Sequence, residues 1–138
     1  MSVWSGAEPP SPSLSTGEGD LVSVSIHVEP RSLESLLESL AQLDFPINPQ
    51  IYHDAAMVYL YPGGRQETQA VTLVEFPAYQ ARLPQVRAAL ASFGFDPSIV
   101  YVAGMMDAIH REQPVELAPP GAPYHSRYRV KRRAAAMA

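Results

Sequence analysis

Residues 21–29, LVSVSIHVE, alternate between apolar and polar positions. Val22, Val24, Ile26 and Val28 share one face, while Ser23, Ser25, His27 and Glu29 share the other. A period of two that is rich in β-branched residues predicts a strand with one buried face. Extended patterns over residues 47–62, 69–76 and 98–103 predict further strands.

Leucines recur at helical spacing in the segment that follows Pro30. One apolar stripe contains Leu33, Leu36, Leu37, Leu40 and Leu43. This spacing predicts an amphipathic helix that begins near Pro30 and ends near Asp44. A second stripe contains Leu83, Val86, Leu90 and Phe93, and Gly94 is suited to end that helix.

The predicted order β-α-β-β-α-β fixes a fold class. Right-handed crossovers place both helices on one face of a four-stranded antiparallel sheet, which is a ferredoxin-like α+β sandwich. The pattern in residues 69–76 leaves open which face of that strand is buried. Because the face opposite the helices is half apolar, we expect a second copy to cover it in a homodimer.

Composition divides the chain into three parts. Residues 1–19 are rich in Pro, Ser and Gly, which predicts a disordered N-terminal tail. Residues 20–110 form the predicted domain. Residues 111–138 begin with a Pro-rich stretch and end with a basic one, which predicts a linker and a C-terminal tail.

The charge is unevenly distributed. Residues 20–110 carry four Arg against ten Asp and Glu, whereas residues 111–138 carry six Lys and Arg against two Glu. An acidic domain repels phosphates, so we expect no nucleic-acid contact except through the basic segment Arg127–Arg133. This segment motivates an alternative function, an interaction scaffold whose tail contacts a partner or nucleic acid.

Three further features of the sequence bear on where the protein is located. The chain has no cysteine, which fits a reducing cytoplasm and excludes disulfides and thiolate sites. The N-terminus does not resemble a signal peptide, and no segment reaches the ~18 apolar residues of a membrane span. We therefore expect a soluble, cytoplasmic protein without a membrane segment.

Residues near the start of the first predicted helix are candidates for ligand binding. A helix N-terminus attracts anions, and Arg31 adds a bidentate donor beside Glu29 and Ser32. Asn48, in the loop after the helix, and His27, at the end of the preceding strand, complete the predicted ligand-binding set.

Three short segments resemble the ACT-domain group of small regulatory modules. They are Glu29-Pro30-Arg31-Ser32-Leu33, the stretch from Asp44 to Ile51, and Phe93-Gly94-Phe95. The resemblance implies a regulatory protein that binds an amino acid or another small anionic metabolite and pairs with a second copy.

No catalytic motif is found, so an enzyme is the less favoured alternative. In that alternative, an open-sheet dimer uses His27, Glu75 or a tyrosine as acid or base. His27, His53 and His110 lack the spacing of a known metal site, and we expect neither a metal nor a cofactor.

Overall fold

The computed structural model describes residues 15–17, 19–106 and 115–131. Six strands form a curled antiparallel sheet, a half-barrel, and a two-residue strand adds to it. The strands are β1 (Ser15–Thr16), β2 (Gly19–Val28), β3 (Gln50–Leu60), β4 (Gln66–Tyr79), β5 (Val100–Gly104), β6 (Val115–Leu117) and β7 (Ser126–Val130).

The predicted four-stranded ferredoxin-like sandwich is wrong. The strands β4 and β5 do pair with β2 on opposite sides, and β3 pairs with β4. The sheet does not end at β3, however, because β7 pairs with β3 and β6 pairs with β7. Both added strands come from residues 111–138, for which the sequence predicts a linker and a tail. Most of the predicted N-terminal tail lies outside the described residues.

Two short helices cover one face of the sheet. Helix α1 (Leu33–Leu40) follows a 3-10 turn that Pro30 begins, and α2 (Leu83–Ser92) follows a similar turn. Proline suits such starts because its missing N–H would be unpaired there. After α2, Gly94 adopts a φ of 82°, a left-handed conformation that glycine enters without a Cβ clash.

The main hydrophobic core lies between these helices and the sheet. Its members from the sheet are Val22, Val24, Ile26, Val28, Val74, Phe76 and Ala78, and those from the helices are Leu36, Leu40, Val86 and Leu90. The alternation predicted in β2 therefore points its apolar side at the helices. The structure also shows which side of β4 packs against the helices. Val74 and Phe76 face the helices, and Leu73 faces away.

The face opposite the helices, called here the concave face, has a smaller apolar cluster. Ala55, Met57, Val71 and Leu73 are buried in it, with Tyr52 and Tyr59 packed at its margin. Between Tyr52 and Ala55 the ladder with β4 shifts, so His53 and Asp54 form a β-bulge. Bulges bend a strand and increase its twist, which favours curling of the sheet.

Contacts across the concave face demonstrate the curl. Strands β7 and β5 are separated by three intervening strands, which in a flat sheet would place them about 19 Å apart. Yet the Arg129 guanidinium lies 5.0 Å from the centre of the Tyr101 ring. The two sides of the sheet must therefore approach each other over this face.

Candidate functional site

A cluster of charged side chains occupies the concave face. Arg127 and Arg129 are two residues apart in β7, so both point to the same side of the strand. They lie opposite Tyr59 and Met57 of β3, which belong to the concave face. Glu116 of β6 pairs with Arg127 in the ladder and brings a carboxylate to the same side.

One carboxylate serves both arginines. Arg127 donates from Nε and Nη2 to the two oxygens of Glu116, at 3.0 and 3.1 Å. Arg129 donates from Nη1 to Oε1 of Glu116 at 2.7 Å. The arginines are only 4% and 5% exposed, so these are buried charges in which electrostatic interactions are strong.

The arginines also connect the two sides of the curled sheet. Arg127 Nη2 donates to the backbone oxygen of Ser98, just before β5, at 2.6 Å. Arg129 Nη2 lies 3.2 Å from Nδ1 of His27 in β2. Because a guanidinium can only donate, Nδ1 must accept, and the neutral ring carries its proton on Nε2.

This environment keeps His27 neutral. Desolvation by burial, followed by the positive charges of Arg129 and Arg127, lowers the pKa of His27 from 6.5 to about 3. A hydrogen bond to the backbone of Ile99 opposes the change. His27 is therefore an acceptor for Arg129 at neutral pH and contributes no charge to the cluster.

Glu116 remains ionised. Burial raises the pKa of its carboxyl group, but the hydrogen bonds from Arg127 and Arg129 outweigh this and lower the pKa overall. The carboxylate is thus available at neutral pH to compensate one positive charge.

A second ion pair borders the cluster. Lys131, two residues after Arg129, lies 3.0 Å from Glu75 of β4. Together the two groups contain three cations, Arg127, Arg129 and Lys131, and two carboxylates, Glu116 and Glu75. His27 adds no charge to these groups. Hydrogen bonds from Ser98 lower the pKa of the Asp96 carboxyl group and the charge of Arg127 lowers it further, so a third carboxylate lies within electrostatic reach of the cluster.

Two buried polar atoms here have no hydrogen-bond partner among the described residues. They are Nε of Arg129 and Oγ of Ser25. Ser25 lies directly opposite Tyr101 in the ladder, and Arg129 lies over the Tyr101 ring. Both residues are therefore neighbours of Tyr101, and unpaired buried polar groups of this kind are rare in folded proteins.

A cavity of about 370 Å³ lies near the other end of β3. Tyr59, Tyr61 and Tyr124 contribute to its wall, and Tyr124 packs edge-on against both other rings. Arg127 lies 5.9 Å from the centre of the Tyr124 ring, so this aromatic cavity adjoins the charged cluster.

The structure does not gather the sequence-predicted binding residues into one site. Glu29 and Arg31 are exposed and pair with each other at 2.9 Å, while Ser32 makes no capping hydrogen bond through its side chain. Asn48 is exposed in the segment before β3. Only His27 belongs to the charged cluster, and ligand binding by all five residues stays a prediction.

The structure also places the basic segment Arg127–Arg133 differently from the prediction of a C-terminal tail. Arg127 and Arg129 are buried on the concave face instead of extending into solvent. Lys131 pairs with Glu75, and the last two bases of the segment, Arg132 and Arg133, lie outside the described residues. A contact of this segment with nucleic acid or a partner stays a prediction.

Sequence reasoning missed the arginine cluster, although a signal was present. In Ser126–Val130, Arg127 and Arg129 alternate with Tyr128 and Val130, which is the period of a strand. Because buried arginines are uncommon, the sequence nevertheless favours solvent-facing positions for both charged residues. Their carboxylate partner, Glu116, lies in the neighbouring strand of a hairpin. The connection of this hairpin contains Pro119, Pro120 and Gly121, a composition that is also typical of a linker.

The chemistry available at the cluster is anion recognition. Guanidinium groups match the oxygens of carboxylates and phosphates, and their donors are fixed in a plane. Within the described ranges, no group of three or more His, Asp or Glu side chains is arranged to hold a metal ion. A bilayer-spanning helix is not found among residues 15–17, 19–106 and 115–131.

Comparisons with known proteins do not assign a family. No protein-family model matches the chain, and no curated protein matches it.

Proposed function

We propose that the protein is a small-molecule-binding module that takes a small anionic ligand on the concave face. The observation that carries the proposal is the excess of buried positive charge, since Arg127 and Arg129 share the single carboxylate of Glu116. An uncompensated buried charge is costly, and a bound anion would remove that cost.

The surrounding groups support the same ligand class. His27 is neutral and accepts one hydrogen bond from Arg129. The imidazole therefore does not compensate the positive charge of the arginines, which stays available to an anion. Glu75 and Glu116 are carboxylates that would repel an anion, but Lys131 pairs with Glu75 and both arginines pair with Glu116. The site therefore presents more donors than acceptors.

Regulation, pairing into a homodimer and a cytoplasmic location belong to the proposal as expectations from the sequence. They rest on the resemblance to ACT-like modules and on the composition, and not on the site. A regulatory role requires a partner that responds to the ligand, which a binding experiment alone does not reveal.

The proposal is tested by thermal unfolding of the full chain in the presence of sodium salts of acetate, glutamate, phosphate and sulfate. A ligand at 100 times its Kd stabilises the folded state by about 2.7 kcal/mol, which raises Tm by several degrees. Isothermal titration calorimetry separates binding from the general stabilising effect of salts such as sulfate.

Two variants locate the binding. Arg129→Met removes the excess charge and should abolish heat of binding, whereas Arg65→Met removes an exposed arginine and should leave it unchanged. If Arg129→Met does not fold, Arg129→Lys keeps the charge but lacks Nε and should weaken binding. Absence of calorimetric binding by every anion at millimolar concentration contradicts the proposal.

A further inference from the structure

Three tyrosine rings form walls of the cavity beside the charged cluster. Tyr59 lies near the end of β3, Tyr61 directly follows this strand, and Tyr124 lies two residues before β7. The ring centres of Tyr59 and Tyr124 are 4.8 Å apart at an interplanar angle of 67°. Those of Tyr61 and Tyr124 are 6.3 Å apart at 70°. Neighbouring walls of the cavity therefore meet at corners, each formed by two nearly perpendicular rings.

Hydrogen bonds across the β3–β4 hairpin hold two of these rings in place. The hydroxyl of Tyr59 donates to Oε1 of Gln69 at 3.3 Å, and the hydroxyl of Tyr61 donates to Oε1 of Glu67 at 3.0 Å. Both acceptors belong to β4 and also line the cavity. A site whose walls are fixed before binding loses less conformational entropy when a ligand enters.

Groups of both charges border the cavity. Arg65 pairs with Glu67, and its guanidinium lies 4.0 Å from the centre of the Tyr61 ring. On the other side, the guanidinium of Arg127 lies 5.9 Å from the centre of the Tyr124 ring. A cationic ligand would therefore approach two guanidinium groups, and an anionic ligand would approach Glu67 in the wall. A ligand without net charge avoids both repulsions.

The angle between the rings favours a flat aromatic ligand. Aromatic rings prefer offset-stacked or edge-to-face contacts. A flat ring in the corner between Tyr59 and Tyr124 can stack on one of them and meet the other edge-on, so both preferred contacts form together. Gln69 uses its Oε1 for Tyr59, so its NH2 group is the part that can donate to a ring nitrogen or carbonyl oxygen of the ligand.

We infer that the cavity binds a small neutral heteroaromatic molecule, with its ring in the corner between Tyr59 and Tyr124. The cavity volume of about 370 Å³ is at the small end of the range for ligand pockets, about 300–1,000 Å³, which suits one ring or two fused rings. The inference goes beyond the proposed anion site and does not depend on it, because different side chains form the cavity.

Calorimetric titration of the full chain at pH 7 with nicotinamide and with indole tests the inference. Both probes are neutral and aromatic, and both should bind at millimolar concentration. Cyclohexanecarboxamide is the matched control ligand, because it keeps the carboxamide of nicotinamide without an aromatic ring. It should bind at least about threefold more weakly than nicotinamide, since it cannot make the aromatic contacts.

Tyr124→Leu is the decisive variant. It removes one ring of the corner and should weaken binding of both probes by about three- to tenfold, whereas Tyr124→Phe keeps the ring and should bind both normally. Tyr128→Leu is the control, because Tyr128 points to the opposite side of β7 from Arg127 and Arg129, and its affinities should be unchanged. If Tyr124→Leu does not fold, Gln69→Ala, at an exposed position, should weaken nicotinamide and leave indole, which has no acceptor atom, unchanged.

Titrations with tetramethylammonium, methyl glucoside and acetate complete the test. Tighter binding of tetramethylammonium or methyl glucoside than of nicotinamide and indole overturns the neutral aromatic ligand. Equal affinities for nicotinamide and cyclohexanecarboxamide, or unchanged affinities in Tyr124→Leu, overturn the placement of a ring in the corner. Binding of acetate without binding of either aromatic probe overturns this inference alone, and binding of the aromatic probes without binding of any anion overturns the proposed function alone.

Discussion

The two faces of the sheet are held by different interactions. Beneath the helices, Leu36, Phe76 and Val86 belong to a continuous apolar core. On the concave face, a small apolar cluster adjoins buried arginines that share one carboxylate. Hydrophobic burial depends little on pH, whereas a charged cluster responds to protons, salt and ligands. The first face maintains the fold, and the second is the face on which we propose that a ligand binds.

The largest expected effect comes from the helix-covered face. Phe76→Ala should lower the free energy of unfolding by about 4 kcal/mol, because it removes a fully buried ring and leaves a cavity. Urea denaturation at pH 7 and at low and high salt measures the change. The loss should be nearly independent of salt, and a loss below about 1 kcal/mol would contradict the assignment of Phe76 to the main core.

A smaller but more salt-sensitive effect is expected on the concave face. Glu116→Gln leaves two buried guanidiniums without their carboxylate and should cost about 2–3 kcal/mol, reduced from the fully buried case because Glu116 is partly exposed. The control Glu67→Gln breaks the exposed pair with Arg65 and should change stability by less than about 0.5 kcal/mol. Equal effects of the two substitutions would show that the cluster is no different from a surface ion pair.

The smallest expected effect appears only on acidification. The pKa of His27 is about 3 in the folded protein and 6.5 as its ordinary value, so below pH 6.5 the unfolded chain binds the extra proton. Stability is complete above pH 6.5 and decreases as the pH falls towards 3. Between pH 7.5 and pH 5 this linkage amounts to about 2 kcal/mol.

His27→Asn isolates this contribution because an amide does not titrate. Its loss of stability between pH 7.5 and pH 5, measured by urea denaturation, should be smaller than that of the unsubstituted protein by about 2 kcal/mol. His53→Asn, at an exposed position of β3, is the control and should follow the unsubstituted protein. Identical pH profiles for all three would show that His27 is not held neutral by burial and by the charges of Arg129 and Arg127.

The contrast between the two faces of the sheet also explains which parts of the fold the sequence predicts well. The alternation of Val22, Val24 and Ile26 and the leucine stripe around Leu36 are local patterns, and burial of their apolar side is a direct consequence. The β3–β4 turn at Pro62–Gly64 also follows from local chemistry, since Gly63 adopts a positive φ there.

The concave face depends on partners that are distant in sequence. Arg129 is buried because Glu116 and His27 receive its hydrogen bonds, and no local pattern announces such pairings. Without those partners an arginine belongs in solvent, so the sequence of β7 predicts a tail and the predicted sheet has only four strands. For the same reason, the sequence predicts His27 as a ligand-binding residue but does not predict the arginines that help to keep it neutral.

The contact between His27 and Arg129 joins residues 102 positions apart. Contacts of such long range require closure of a large loop, and this step slows folding. During synthesis β2 emerges long before β7, so the main core has its strands and helices available while the arginines are still missing. We therefore expect the concave face to be completed last, when β7 pairs with β3.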